Sequence, residues 1–171
     1  MKAYETHESS ENYLESILML SMDHHVVRSI DIANMLGFSK PSVSVAMKHL
    51  REEGQISVDQ NGYIRLTKAG MEIARSTYEK HVLITNVLVE LGVNAYTAGQ
   101  DACRIEHVLS PESFTKIKES YLSSHNGKSD AIKAIEDFEK SYKTSDPEYQ
   151  YRTRTELSEN AEAPPGFCIF R

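Results

Sequence analysis

The chain has 171 residues and a net charge of −6, with 40% apolar and 26% charged residues; these near-average values exclude a wholly disordered or collagen-like chain and allow one domain or two small ones. No apolar run approaches the ~20 residues of a membrane helix, and Met1-Lys2-Ala3-Tyr4-Glu5 is not followed by an apolar signal core, so the expected location is the cytoplasm, with no membrane partner. Two cysteines, Cys103 and Cys168, are too few for a disulfide framework and read as free thiols or metal ligands.

Residues 1–8 are polar and are expected to fray. A helix is predicted from Ser9 or Ser10, where Tyr13, Leu14, Ile17 and Leu18 recur at helical spacing, and Met22 to His25 read as a break. Arg28 to Leu36 is a short second helix with Ile30, Ala33 and Leu36 on one side, closed by Gly37. Ser39 is the expected N-cap of a third helix, with Pro41 in its first turn and Val43, Met47 and Leu50 as its buried stripe. Gly54 ends it. Ile56-Ser57-Val58 and Tyr63-Ile64-Arg65-Leu66 then alternate around Asp59-Gln60-Asn61-Gly62, a hairpin signal.

Thr67 is the expected cap of a long helix running to about Leu91 and stopped by Gly92. Thr97, with Gln100 three residues on, opens the next in a capping-box pattern, and Ser110-Pro111 starts another that runs to about Leu122. Asp130 to Tyr142 reads as a last helix, and the polar chain beyond Thr144, with Pro164-Pro165-Gly166, as a mobile tail.

Two short helices joined by a tight turn and followed by a hairpin are the order of a winged helix-turn-helix, whose second helix enters the DNA major groove. The overall charge speaks against nucleic acid, but residues 24–51 carry Arg28, Lys40, Lys48 and Arg51 against Asp31 alone, four cations against one anion and a local net of +3. A basic face decides phosphate binding even on an acidic protein. The candidate DNA contacts are Arg28, Ser39, Lys40, Ser42, Ser44 and Lys48. The same helices serving only as a protein–protein module is the competing reading.

Cys103, Glu106 and His107 stand at i, i+3 and i+4 of one predicted helix and so share a face. Thiolate, carboxylate and imidazole are all transition-metal ligands. His81 lies on the preceding helix, and Asn12 and Glu15 share a face of the first. The spacing alone leaves open a buried core thiol at Cys103 and a solvated face at Glu106 and His107.

The sequence resembles the diphtheria toxin repressor and manganese transport regulator family of metal-dependent transcriptional regulators. The resemblance is carried by Glu11-Asn12-Tyr13-Leu14-Glu15, Ser29-Ile30-Asp31-Ile32-Ala33, Ser39-Lys40-Pro41-Ser42-Val43-Ser44, Leu66-Thr67-Lys68-Ala69-Gly70, Lys80-His81 and, most specifically, Asp101-Ala102-Cys103-Arg104-Ile105-Glu106-His107-Val108-Leu109-Ser110. It implies a homodimer that binds a palindromic double-stranded operator when loaded with Fe²⁺ or Mn²⁺, and it points to His81, Cys103, Glu106, His107 and Glu15 as ligands, with Asn12 a weaker one. Cys103 follows the iron-type members and leans toward Fe²⁺ or a softer ion such as Co²⁺, Ni²⁺ or Zn²⁺; Glu15 follows the manganese type; Asn12 matches neither. Thr85 and Gly99 depart from the iron type's ancillary site.

The expected architecture is therefore mainly α. Residues 1–70 form a winged helix-turn-helix DNA-binding domain, residues 71–143 an all-helical metal-binding and dimerisation domain, and residues 144–171 an acidic tail, with no SH3-like domain. The expected function is metal-activated repression of metal-ion homeostasis genes. The alternative is a winged-helix regulator sensing an organic ligand or a redox signal. An enzyme is not expected, because the sequence has no HExxH, GxSxG or phosphate-loop motif.

Overall fold

The computed structural model describes residues 2–23 and 26–125 and the single positions 133 and 137. The break expected over Met22 to His25 is corrected in part, since Met22 and Asp23 belong to the first helix; His24, His25, Cys168, the tail and all but positions 133 and 137 of the predicted last helix lie outside the described residues. Six helices and two strands follow one another as α1 (Lys2–Asp23), α2 (Ser29–Leu36), α3 (Lys40–Glu52), β1 (Ile56–Val58), β2 (Ile64–Leu66), α4 (Lys68–Glu90), α5 (Ala95–Val108) and α6 (Pro111–Ser124). Among the described residues no helix is long and apolar enough to cross a membrane. The chain divides into two compact units, one reaching Tyr78 and one starting at Glu79.

In the first unit, Leu14, Ile17 and Leu18 of α1 are wholly buried together with Ile32 of α2 and Val43 of α3. Each such side chain contributes about 1.5–3 kcal/mol over leaving it in water. Val43, Met47 and Leu50 form the buried stripe of α3. Ser39 caps that helix, its Oγ accepting from the Ser42 N–H at 3.3 Å, and Pro41 sits in the first turn. The wing pairs β1 with β2 antiparallel, Ile56 opposite Leu66 and Val58 opposite Ile64. A third rung comes from the Ile64 N–H donating to the Val27 carbonyl at 2.8 Å, which ties the segment before α2 to the wing.

The wing turn is a type I turn followed by a left-handed glycine. The Gly62 N–H donates to the Asp59 carbonyl at 3.0 Å and the Asp59 N–H to the Tyr63 carbonyl at 3.0 Å, while Gly62 takes φ +77°. The Asp59 carboxylate secures it by accepting from the Asn61 and Tyr63 N–H groups at 2.8 and 2.9 Å.

The second unit holds the rest of α4, α5 and α6. Leu83 and Ile84 of α4 and Ala98 and Ala102 of α5 are buried, and the small residues of α5 allow close helix packing. Salt bridges attach α6 to α4: Lys118 to Glu79, and His125 Nε2 to Glu90 Oε1 at 2.8 Å.

Three further sequence expectations are corrected. The first helix starts at Lys2 rather than at Ser9. Ile30 is 36% exposed and the buried side of α2 is Ile32, Ala33 and Leu36; in an eight-residue helix one position decides which side faces the core. The helix expected from Thr97 begins at Ala95, because the Asn94 side chain accepts from the Tyr96 N–H at 3.0 Å and takes the capping role.

Candidate metal centre and reading face

Within the second unit, α4 supplies His81 and α5 supplies Cys103 and Glu106. One ligand atom from each lies within 4.8 Å of the other two, and all three residues are buried. Donors held ~2.0–2.3 Å from a common ion stand up to about 4.6 Å apart when opposite one another, so a span of 4.8 Å is within a few tenths of an ångström of what a single ion needs. The spacing of Cys103 and Glu106, three residues apart on α5, sets both side chains over one turn.

Glu106 is the centre of the cluster and is wholly buried. Its Oε2 lies 2.8 Å from His81 Nδ1 in a buried hydrogen bond. Its Oε1 is shut off from solvent and accepts no hydrogen bond from the described residues, although His107 Nε2 stands 3.2 Å away in ion-pair reach. Burial pushes the Glu106 carboxyl up, and the His107 and His81 imidazoles pull it down by more, leaving it below its ordinary value. The carboxylate is thus held in the charged form that a cation needs. A buried carboxylate faced by two imidazoles keeps lone pairs available to a cation, which suits a metal site. Nitrogen, sulfur and oxygen donors of this kind fit a divalent transition metal.

The sequence puts Cys103, Glu106 and His107 on one helix face and His81 on the preceding helix; the structure gathers His81, Cys103 and Glu106 into one cluster, and His107 stands beside Glu106. Asn12 and Glu15 stand on α1 in the first unit, one turn apart, with Glu15 buried. There the charge of Glu15 adds to burial in raising the Tyr78 phenol above its ordinary value.

On the other candidate surface, Ser39, Lys40, Ser42, Ser44 and Lys48 are all exposed at or on α3. Ser39 and Ser42 share a hydroxyl–hydroxyl hydrogen bond of 2.8 Å at the helix N-terminus, and Lys48 stands 3.9 Å from Glu52. Arg28 does not project freely: its guanidinium lies over the Tyr63 ring, 4.7 Å from the centroid. That stacking joins the start of α2 to the wing. Val45, 56% exposed on α3, was passed over by sequence reasoning, which sought polar and basic groups on that face.

Residues 5–64 match the family described as iron dependent repressor, N-terminal DNA binding domain. Residues 67–123 match iron dependent repressor, metal binding and dimerisation domain. The chain is 33% identical over 113 residues to an uncharacterized HTH-type transcriptional regulator of Methanocaldococcus jannaschii, across 65% of this chain and 90% of that one. It is 33% identical over 105 residues to the transcriptional regulator MntR of Salmonella typhimurium, across 61% of this chain and 67% of that one. A solved manganese-dependent transcriptional repressor in complex with manganese aligns at a TM-score of 0.60 and 25% identity, over 65% of this chain and 51% of that one. The chain spans about half the length of most of the solved structures it matches, 53% of T. acidophilum IdeR being one case.

Proposed function

The chain belongs to the iron-dependent repressor family, and on that premise we propose that it represses metal-homeostasis genes in the cytoplasm as a homodimer on a palindromic operator. The observation that carries the reading is the convergence of His81, Cys103 and Glu106 within 4.8 Å, on a chain whose first unit is a winged helix-turn-helix. The relatives named above are transcriptional regulators, which favours a regulator over an enzyme.

The ligands in this reading are His81, Cys103, Glu106 and His107. Glu15 joins them from α1, with Asn12 as a weaker amide donor, on the strength of the sequence resemblance. A bound divalent ion, Fe²⁺ or Mn²⁺, supplies the positive charge that holds these donors together; the Cys103 thiolate leans the choice toward Fe²⁺ or a softer ion. Residues 1–70 serve DNA reading, residues 71–143 metal binding and dimerisation, and residues 144–171 are a tail.

Exposed Val89, Leu91, Tyr96 and Val108, and an α6 that buries none of its residues, support a helical partner surface in the second unit. Joining Glu15 to the donors of α4 and α5 restricts the positions open to the two reading heads. Their α3 helices then address half-sites one helical turn apart, ~34 Å, with Ser39, Lys40, Ser42, Ser44 and Lys48 on bases and phosphates. Such coupling is worth about 1–3 kcal/mol in DNA affinity, from fivefold to somewhat over a hundredfold.

The test is fluorescence anisotropy on a duplex selected from a random library. EDTA abolishes binding, and Mn²⁺ or anaerobic Fe²⁺ restores it. Cys103→Ala stays dimeric by light scattering and loses the metal response. Binding that ignores the chelator contradicts this function and favours an organic or redox signal.

A further inference from the structure

The outward face of α3 is not uniformly polar. At about 100° per residue Val45 lies roughly 200° around the helix from Val43, opposite the stripe of Val43, Met47 and Leu50 that anchors α3 in the core. It is 56% exposed and stands between exposed Lys48, roughly 60° to one side, and exposed His49, roughly 40° to the other. Its place is thus the crest of the helix, the line that goes deepest when the helix enters a groove.

Folding gives no reason for a valine there. A β-branched residue on an exposed helix position is a poorer helix former than Ala, Lys or Glu, and Val45 is more than half exposed. What valine offers is a stiff apolar knob: its χ1 is almost fixed in a helix, so docking costs little rotamer entropy. In the major groove the one apolar feature of a base edge is the C5-methyl of thymine. The cations Lys40, Lys48 and Arg51 on the same helix supply the phosphate attraction that would seat it.

We propose that Val45 is a specificity-determining residue that reads one thymine per half-site by methyl–methyl contact. The proposal rests on α3 being the groove-entering helix, and the experiment separates the two. A duplex is selected from a random library with Mn²⁺, and each thymine in turn is replaced by deoxyuracil, which lacks only the C5-methyl. Affinities are measured for the wild type and for Val45→Ala. Alanine suits an exposed helix position, so a thermal melt equal to or above the wild type's confirms an intact fold.

The expected result is one thymine per half-site at which uracil weakens the wild type about three- to fivefold, the effect of one buried methyl. At that thymine the variant no longer distinguishes the two bases, while it distinguishes them as the wild type does elsewhere. Equal uracil sensitivity in both proteins, or none in the wild type, overturns the assignment to Val45 and leaves DNA reading intact. Failure of any duplex to bind overturns the DNA-reading function, and the proposal with it.

Discussion

Glu106 carries more of the second unit's chemistry than its place in the sequence suggests. It is wholly buried, with His81 Nδ1 2.8 Å from one oxygen and His107 Nε2 3.2 Å from the other. Burial raises its carboxyl and the two imidazoles lower it by more, for a net depression. A depressed folded-state value contributes stability that is present above the unfolded carboxylate value of ~4.3 and lost as pH falls through the folded one. Urea unfolding of the metal-free protein between neutral pH and pH ~3 therefore loses stability most steeply in acid. Glu106→Gln, which keeps the shape and removes the titration, shows a shallower acid loss; parallel curves would contradict this account of the pair. At this scale the sequence was informative where spacing along one helix decides the geometry, as for Cys103, Glu106 and His107. It named His81 on the preceding helix but gave it no position relative to Cys103, because the two stand 22 positions apart and only helix packing brings them together.

Among the elements, the junction of the α3–β1 turn with the start of α4 fixes where the wing emerges. The Thr67 hydroxyl donates to the Gly54 and Gln55 carbonyls at 2.7 and 3.0 Å and accepts from the Gly70 N–H at 3.2 Å. Gly70 lets the first turn of α4 lie against that loop: a Cβ there would sit 2.0 Å from the Gln55 carbonyl oxygen. Gly70→Ala consequently forces backbone apart and is expected to cost about 1–3 kcal/mol, read as a lower urea midpoint. An unchanged or raised midpoint would mean that helix propensity outweighs the clash. The element order, the α3 stripe and the wing were legible because caps, Gly stops and hydrophobic period agree there. The misses came where local signals tie. Thr97 and Asn94 are both capping residues and the backbone chose Asn94; Ile30 and Ile32 are equally apolar and packing against α1 and α3 chose Ile32. The Leu66–Gly70 motif was visible as a string, whereas its reason, the approach of Gln55, is tertiary.

For the whole molecule, a net charge of −6 coexists with a reading helix whose exposed face carries Lys40, Lys48 and Arg51, so composition says less about partners than the distribution of charge does. The division into a winged-helix unit and a helical unit was visible in the change of pattern after the wing. In the proposed function metal binding and operator binding are one linked equilibrium. Linkage then requires each to tighten the other by the same factor. Isothermal titration of the full chain with Mn²⁺, alone and with its selected operator duplex, measures this directly. The account predicts metal affinity raised by DNA by the factor, five- to somewhat over a hundredfold, by which metal raises DNA affinity. Equal metal affinity with and without the duplex would contradict it.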